Sequence, residues 1–352
     1  MSISTLSFNT ATRSSLAKLQ TQISDATLQM NNAGRLTDVG RSLGRLTGAA
    51  VSARTQETSF KAQQESNKLV TTRLENIDAS LLAIRNGAES LGNSLIGISV
   101  ATNFGTLTEL AKSGLQQLAG SLNSTSDGQY LFGGSNTDEA PIAYDVNADT
   151  SLAAARFSAF AGATTGGTKS AVTASEMTAY LSDAGFLGTD GVTYRFADLF
   201  DQEWGSEWSN ANSDTSIESR ISKTETITSS ASANDQAFRD IAAAYTAIAD
   251  FDLGTLNDAA RDVVTAYSRG KLTSAGQEVI VAQASIGTKL NRIEAAGTEL
   301  QRQEDIMKNT VANLEEEDIT EVTLRVTQLE TQLEAAYTVT GRIQNLSLLN
   351  YI

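Results

Sequence analysis

Apolar and polar positions along this chain recur with the period of helices. Leu16, Leu19, Ile23, Ala26 and Met30 follow a 3-4 spacing that lays them on one stripe and predicts a first helix. Gly34, Gly40, Gly44 and Gly48 then interrupt the pattern. Each glycine costs a helix interior about 1 kcal/mol relative to alanine, so the helix is expected to end or loosen there. The four-residue glycine spacing has the form of a membrane dimer motif. Arg35, Arg41 and Arg45 stand among the glycines, however, which favours a close backbone approach or a hinge.

A longer seam follows in Leu74, Ile77, Leu81, Ile84, Ala88, Leu91, Leu95 and Ile98, the 3-4 alternation of a coiled coil. Its phase slips between Val100 and Phe104, and Leu107, Ala111, Leu115, Leu118 and Leu122 form a second seam. Read as one element from Val51 to about Ser124, this predicts a helix of roughly 70 residues, about 100 Å if straight. The C-terminal third has the same character. Phe238, Ile241, Tyr245 and Ile248 predict one helix, Ala259 to Tyr267 another, and Ser274 with Gln277 has the capping-box spacing of a third helix start. Ile286, Leu290, Ile293, Gly297, Leu300, Glu304, Met307, Val311 and Leu314 continue the seam. Glu315, Glu316, Glu317 and Asp318 break the phase, and Val322, Val326, Leu329, Leu333, Ala336, Thr340 and Ile343 take a new register. Asp318 with Glu321 reads as a capping box at a fresh helix start, with a coiled-coil stutter as the alternative.

Short helix, break, long helix, middle, long helix, break, short helix is the order of a bundle folded back on itself. The expected fold is mainly α: a long antiparallel coiled coil or helical bundle formed by the N- and C-terminal segments, with an inserted smaller β-containing domain. The expected divisions are a terminal helical domain of residues 1–45 and 316–352, a rod-like bundle of 46–141 and 235–315, and an inserted outer domain of 142–234. The sole proline, Pro141, stands just before that insert, leaving the long segments free of helix breakers. In the insert, Val192, Tyr194 and Phe196 alternate as a half-buried strand would, and Trp204 and Trp208 are read as a local core.

Composition narrows the chemistry. The 352 residues include no Cys and no His, which removes thiol nucleophiles, disulfides, imidazole bases and the commonest zinc ligands. Only 6% of residues are aromatic, which suits thin bundles. With 26 Lys and Arg against 41 Asp and Glu, the net charge of -15 repels nucleic acid and anionic lipid, and no apolar run is long enough for membrane insertion. Met1 to Thr12 lacks the basic and apolar regions of a cleaved signal peptide. Gly166-Gly167-Thr168-Lys169 lacks the spacing of a phosphate loop. Asp145, Asn147 and Asp149 open like a calcium loop, but the turn glycine is missing and Arg156 stands where a closing carboxylate belongs. Asp201, Glu203, Glu207 and Asp214 are the nearest thing to paired catalytic acids, and solvated acidic loops explain them as well. No enzyme activity and no cofactor are expected.

The outer helices are the candidate assembly elements, because a two-helix hairpin alone buries too little apolar surface to be firmly stable. Their stripes comprise Leu16, Leu19, Ile23 and Met30, then Val322, Val326, Leu329, Leu333 and Ile343, with Leu346, Leu348, Leu349 and Ile352 in the closing Leu-Ser-Leu-Leu-Asn-Tyr-Ile. Both ends resemble the flagellin superfamily, as does Asp127-Gly128-Gln129-Tyr130-Leu131-Phe132-Gly133-Gly134 followed by Pro141. The resemblance covers roughly residues 1–141 and 235–352. Within the superfamily, the Tyr-Leu-Phe-Gly-Gly segment points to members that join hook to filament.

That resemblance implies a structural flagellar protein that self-assembles as a ring layer, with hook-associated protein 1, flagellin and a flagellar export chaperone as partners. It also implies an extracellular location reached through the flagellar type III apparatus. One departure stands out: where flagellins commonly carry an acidic stretch after the first helix, Ala33 to Arg41 has Asp38 alone. The alternatives are a filament flagellin, a surface enzyme on helical stalks and a cytoplasmic coiled-coil scaffold.

Overall fold

The computed structural model describes residues 2–96, 104–144, 151–211 and 215–349. Helices α1 (Ser2–Asn31), α2 (Val39–Leu43), α3 (Thr47–Ile96) and α4 (Phe104–Leu122) precede a hairpin of β1 (Thr125–Ser126) and β2 (Gln129–Tyr130). The middle holds α5 (Leu152–Thr165), α6 (Ala174–Leu181), the pair β3 (Phe186–Leu187) and β4 (Thr193–Tyr194), α7 (Asp198–Asp201), and the pair β5 (Glu218–Arg220) and β6 (Thr226–Thr228). Then come α8 (Gln236–Asp250), α9 (Asp258–Glu315) and α10 (Ile319–Leu349). The strands form antiparallel pairs, so the fold is mainly α with small β elements, as the helical periodicity requires. Two compact units result, Met1–Gln64 with Thr298–Ile352 and Glu65–Gly297.

In the second unit, the α3 seam from Leu74 to Leu95 is no more than 4% exposed at any of its seven apolar positions; Ile98 lies outside the described residues. The expected 70-residue helix does not form. Ser80 Oγ lies 3.0 Å from Ser124 Oγ, Gln117 Nε2 donates to Ala83 O at 3.4 Å, and Asn76 Nδ2 donates to Ser126 Oγ at 3.3 Å. Numbers fall on one side as they rise on the other, so α4 runs antiparallel to α3. Folding back lets Leu107, Ala111, Leu115, Leu118 and Leu122 share one core with α3, a greater burial than a single extended helix would give.

Helix α8 fills that core and is buried from Ala237 to Ala249 apart from half-exposed Arg239. Its Tyr245 ring lies against α4 where Gly114 has no side chain: a Cβ there would sit 2.3 Å from the ring. A Cβ at Gly87 would sit 3.0 Å from the same residue's hydroxyl. The two glycines therefore make room for one tyrosine between α3 and α4. Buried Asp240 accepts from Lys271 Nζ at 3.0 Å and Gln236 Nε2 at 2.8 Å.

Helix α9 begins at Asp258, where a helix from Ala259 is expected, and runs unbroken to Glu315, which corrects the expected end at Tyr267 and the fresh start at Ser274 with Gln277. A capping box needs a chain that is not already helical. Here Val264, Leu272, Ala275 and Val279 carry one buried stripe straight through that position.

The middle packs its rings together. Phe157 stacks on Phe251 and Phe160 on Tyr180, each at 4.3 Å, while Phe196 meets Phe251 at 4.9 Å. Trp204 and Trp208 are core residues stacked at 5.3 Å across a single π-helical turn. The strand read at Val192, Tyr194 and Phe196 shortens to a two-residue pairing, because the chain leaves the pair at once: Val192 is exposed and Phe196 turns fully into the ring cluster. The Tyr-Leu-Phe-Gly-Gly segment is structural. Leu131 and Phe132 are buried, Arg73 donates to Tyr130 O and Ser229 O at 3.0 Å each, and a Cβ on Gly133 would collide with Asn136 O.

Candidate assembly surface at the paired terminal helices

In the first unit α1 and α10 run side by side and antiparallel. Gln20 Nε2 donates to Tyr337 Oη at 2.8 Å, and Gln29 Nε2 donates to Glu317 Oε2 at 3.0 Å. Of the predicted stripe, Val322 and Val326 are buried, whereas Leu329 and Leu333 are half-buried. On α1, Ala26 is buried, and Leu16, Leu19, Ile23 and Met30 are half-buried. The two predicted faces are thus brought together, and cover is most complete near the break and thinner away from it. The side chains of Ile343, Leu346, Leu348 and Leu349, and all of Ile352, lie outside the described residues.

The breaks that end α1 and begin α10 meet. Leu36 N donates to Glu315 O at 2.8 Å and Glu317 N donates to Gly34 O at 3.0 Å, flanking an antiparallel Arg35–Glu316 bridge. Gly34 has φ +88°, and a Cβ there would lie 2.2 Å from Glu317 O, so both conformation and space require glycine. This is the close approach expected from the glycine spacing. The acidic run is a true helix break and no stutter: α9 stops at Glu315, and Asp318 Oδ1 caps α10 by accepting from Thr320 N at 2.7 Å.

Each acid of the run has its own partner. Glu315 is buried and ion-paired with Arg54, Glu316 pairs with Arg35 at 2.9 Å, and Glu317 accepts from Arg325 at 2.8 Å. The Arg325 guanidinium and then Gln29 hold the Glu317 carboxyl below its ordinary range, against the opposing effect of burial. The Thr320 amide and hydroxyl do the same for Asp318. Arg35, Arg54 and Gln29 escape a reading of helical periodicity because their partners lie more than 250 positions away; opposite charge in the two breaks is the one trace they leave. Further along α9, Glu304 occupies an apolar seam position and is satisfied by Gln64 at 3.1 Å and Lys61 at 3.7 Å.

Similarity to known proteins includes the C-terminal half of this paired surface. Residues 270–352 match the family described as the bacterial flagellin C-terminal helical region. The fold is similar to the structure of a putative flagellar hook-associated protein from Vibrio parahaemolyticus, with a TM-score of 0.51 and 12% identity over 77% of this chain and 97% of that one. No curated protein matches the chain.

Among the described residues the acids weighed as catalytic have separate surroundings. Asp201 faces Arg239 at 3.6 Å, Glu203 pairs with Arg156 at 2.7 Å, and Glu207 is exposed. Asp214 lies outside the described residues, as do Asp145, Asn147 and Asp149. Among the described residues no group of acids could hold a metal, and no helix is long and apolar enough to cross a membrane.

Proposed function

We propose that this chain is a structural component of the bacterial flagellum that joins hook to filament by assembling through α1 and α10. One observation carries the reading: a C-terminal region that matches flagellin ends in a helix whose apolar stripe, paired with α1, is only half covered along much of its length. Half-covered stripes of Leu16, Leu19, Ile23, Met30, Leu329 and Leu333 are what neighbouring copies would bury. Residues 1–45 and 316–352 are the assembly domain in this reading. The closing Leu346, Leu348, Leu349 and Ile352 complete its apolar surface. The ring layer would meet hook-associated protein 1 on one side and flagellin on the other, after export by the flagellar type III apparatus with a chaperone. The separate partners of Asp201 and Glu203 support a structural role over a surface enzyme.

Deleting Leu346 to Ile352 tests it. The expected product is a soluble, largely helical monomer by circular dichroism that no longer binds at hook tips; loss of the monomer's own fold would overturn the assembly role of the tail. The flagellin match itself favours a second reading, filament flagellin. Purified protein seeded with filament fragments separates the two, since a junction protein adds one bounded layer and a flagellin grows without limit.

A further inference from the structure

Two like-charged pairs in the first unit make no ion pair among the described residues. Arg41 and Arg45, four residues apart beside the break, are exposed and make no ion pair among the described residues, whereas Arg35 and Arg54 are neutralised by Glu316 and Glu315. Leu46, at 53% exposure, follows Arg45 in the chain, and Val51, at 55%, lies in the first turns of α3 just after it. On α10, Glu330 and Glu334 are likewise exposed and make no ion pair among the described residues. Carboxylates at i and i+4 lie on one face of a helix and repel, and among the described residues no cation relieves this pair. Tyr337, 50% exposed, follows on the same flank at i+7 from Glu330.

One molecule cannot join these pairs. The Gly34–Leu36 and Glu315–Glu317 contacts fix the level of the break. From there α10 carries Glu330 and Glu334 about 20 to 25 Å along α1. The chain after α2 departs in the other direction: α3 lies against α9, with Arg54 on Glu315 and Lys61 near Glu304.

We infer that the Arg41–Arg45 patch of one copy docks on the Glu330–Glu334 flank of α10 in another, with Leu46 and Val51 covering Tyr337. The inference rests on the assembly reading and names its contact. Charge and apolar content are complementary, and the two patches sit on different parts of the molecule. The contact is therefore head-to-tail, and such a contact propagates into a ring or helical array where a two-fold contact would stop at a dimer.

The chain has no cysteine, so single thiols report contacts cleanly. Full-length Arg45→Cys and Glu334→Cys variants, mixed and oxidised, are expected to form the mixed disulfide dimer at least about tenfold faster than either forms its own. In sedimentation at low ionic strength, Arg41→Glu with Arg45→Glu, and separately Glu330→Lys with Glu334→Lys, should each weaken self-association about tenfold, and the four changes in one chain should restore it. Salt near 1 M, where screening acts within roughly 3 Å, should mimic either reversal. Charge reversals that associate like the native chain, or no preference for the mixed disulfide, overturn this contact and leave assembly standing. A native chain that stays monomeric at every concentration overturns this contact, and one that also fails to bind at hook tips overturns the assembly reading with it.

Discussion

The two units draw on the same long helices yet are held by different means. In Glu65–Gly297 the core carries Phe157, Phe160, Tyr180, Phe196, Phe251 and two tryptophans around a helix buried along most of its length. Among the described residues of Met1–Gln64 with Thr298–Ile352 the buried apolar side chains are mostly small, Ala26, Ala50, Ala53, Val311, Val322 and Val326, with Phe60 and Leu300 as larger members. Each buried aromatic removes about 150 to 250 Å² from water, so apolar burial dominates one unit. The other depends more on backbone pairing, ion pairs and a partly covered helix pair. Elements with little buried surface open at low free-energy cost. Low local stability is therefore concentrated in the region proposed to assemble.

The largest effect expected is on the aromatic core. Phe157→Ala, which removes a fully buried ring from between Phe251 and Phe160, should cost about 3 to 5 kcal/mol in denaturant titrations. Amide exchange in α1 and α10 should be unchanged; faster exchange there as well would mean that the units do not open independently. Gly34→Ala comes next, at about 1 to 3 kcal/mol for the left-handed backbone, with the clash against Glu317 O added. Its signature is faster exchange across α1 and α10 while residues 65–297 keep their protection.

Acid should give the smallest effect and separate the units by sign. Glu317 and Asp318 titrate below their ordinary values of 4.5 and 3.8 in the folded chain. Their contribution is full above those values and is lost as pH falls through the lower folded ones. Asp250 in the other unit is shifted upward, chiefly by burial, so its contribution to stability grows as pH falls through its raised value. Lowering the pH from 7 to about 3 should therefore reduce protection, measured against the intrinsic exchange rate at each pH, at the α10 start sooner than at α8. Parallel loss at both sites would remove the distinction.

What the sequence made legible follows from what periodicity reports. A 3-4 spacing identifies which side of a helix is covered, and the seams from Leu74 to Leu95 and Ile286 to Leu300 lie buried or half-buried where they were read. Periodicity carries no sign of direction, which is why α4 could be taken for an extension of α3. Ser274 and Gln277 satisfy a local rule that an uninterrupted helix overrides. The short strands and the ring cluster depend on contacts between distant residues such as Phe157 and Phe251, which no local pattern encodes. Both halves of the candidate surface were visible as stripes, and the acidic break was visible as lost phase. Its cross-connection to Gly34 and Arg35 was not, because pairing across some 280 positions leaves only complementary charge and an unexplained glycine.

The Arg35–Glu316 bridge has a corollary for how such a chain can vary in length. Two backbone hydrogen bonds, one on each side of that pair, fix residues 34–36 opposite 315–317. Adding one residue to either break would push Gly34 out of the place opposite Glu317 O, the position that demands it. Insertions at one break should thus survive only with a matching change at the other, whereas the exposed Gly166-Gly167 turn after α5 is free of any such reciprocal constraint.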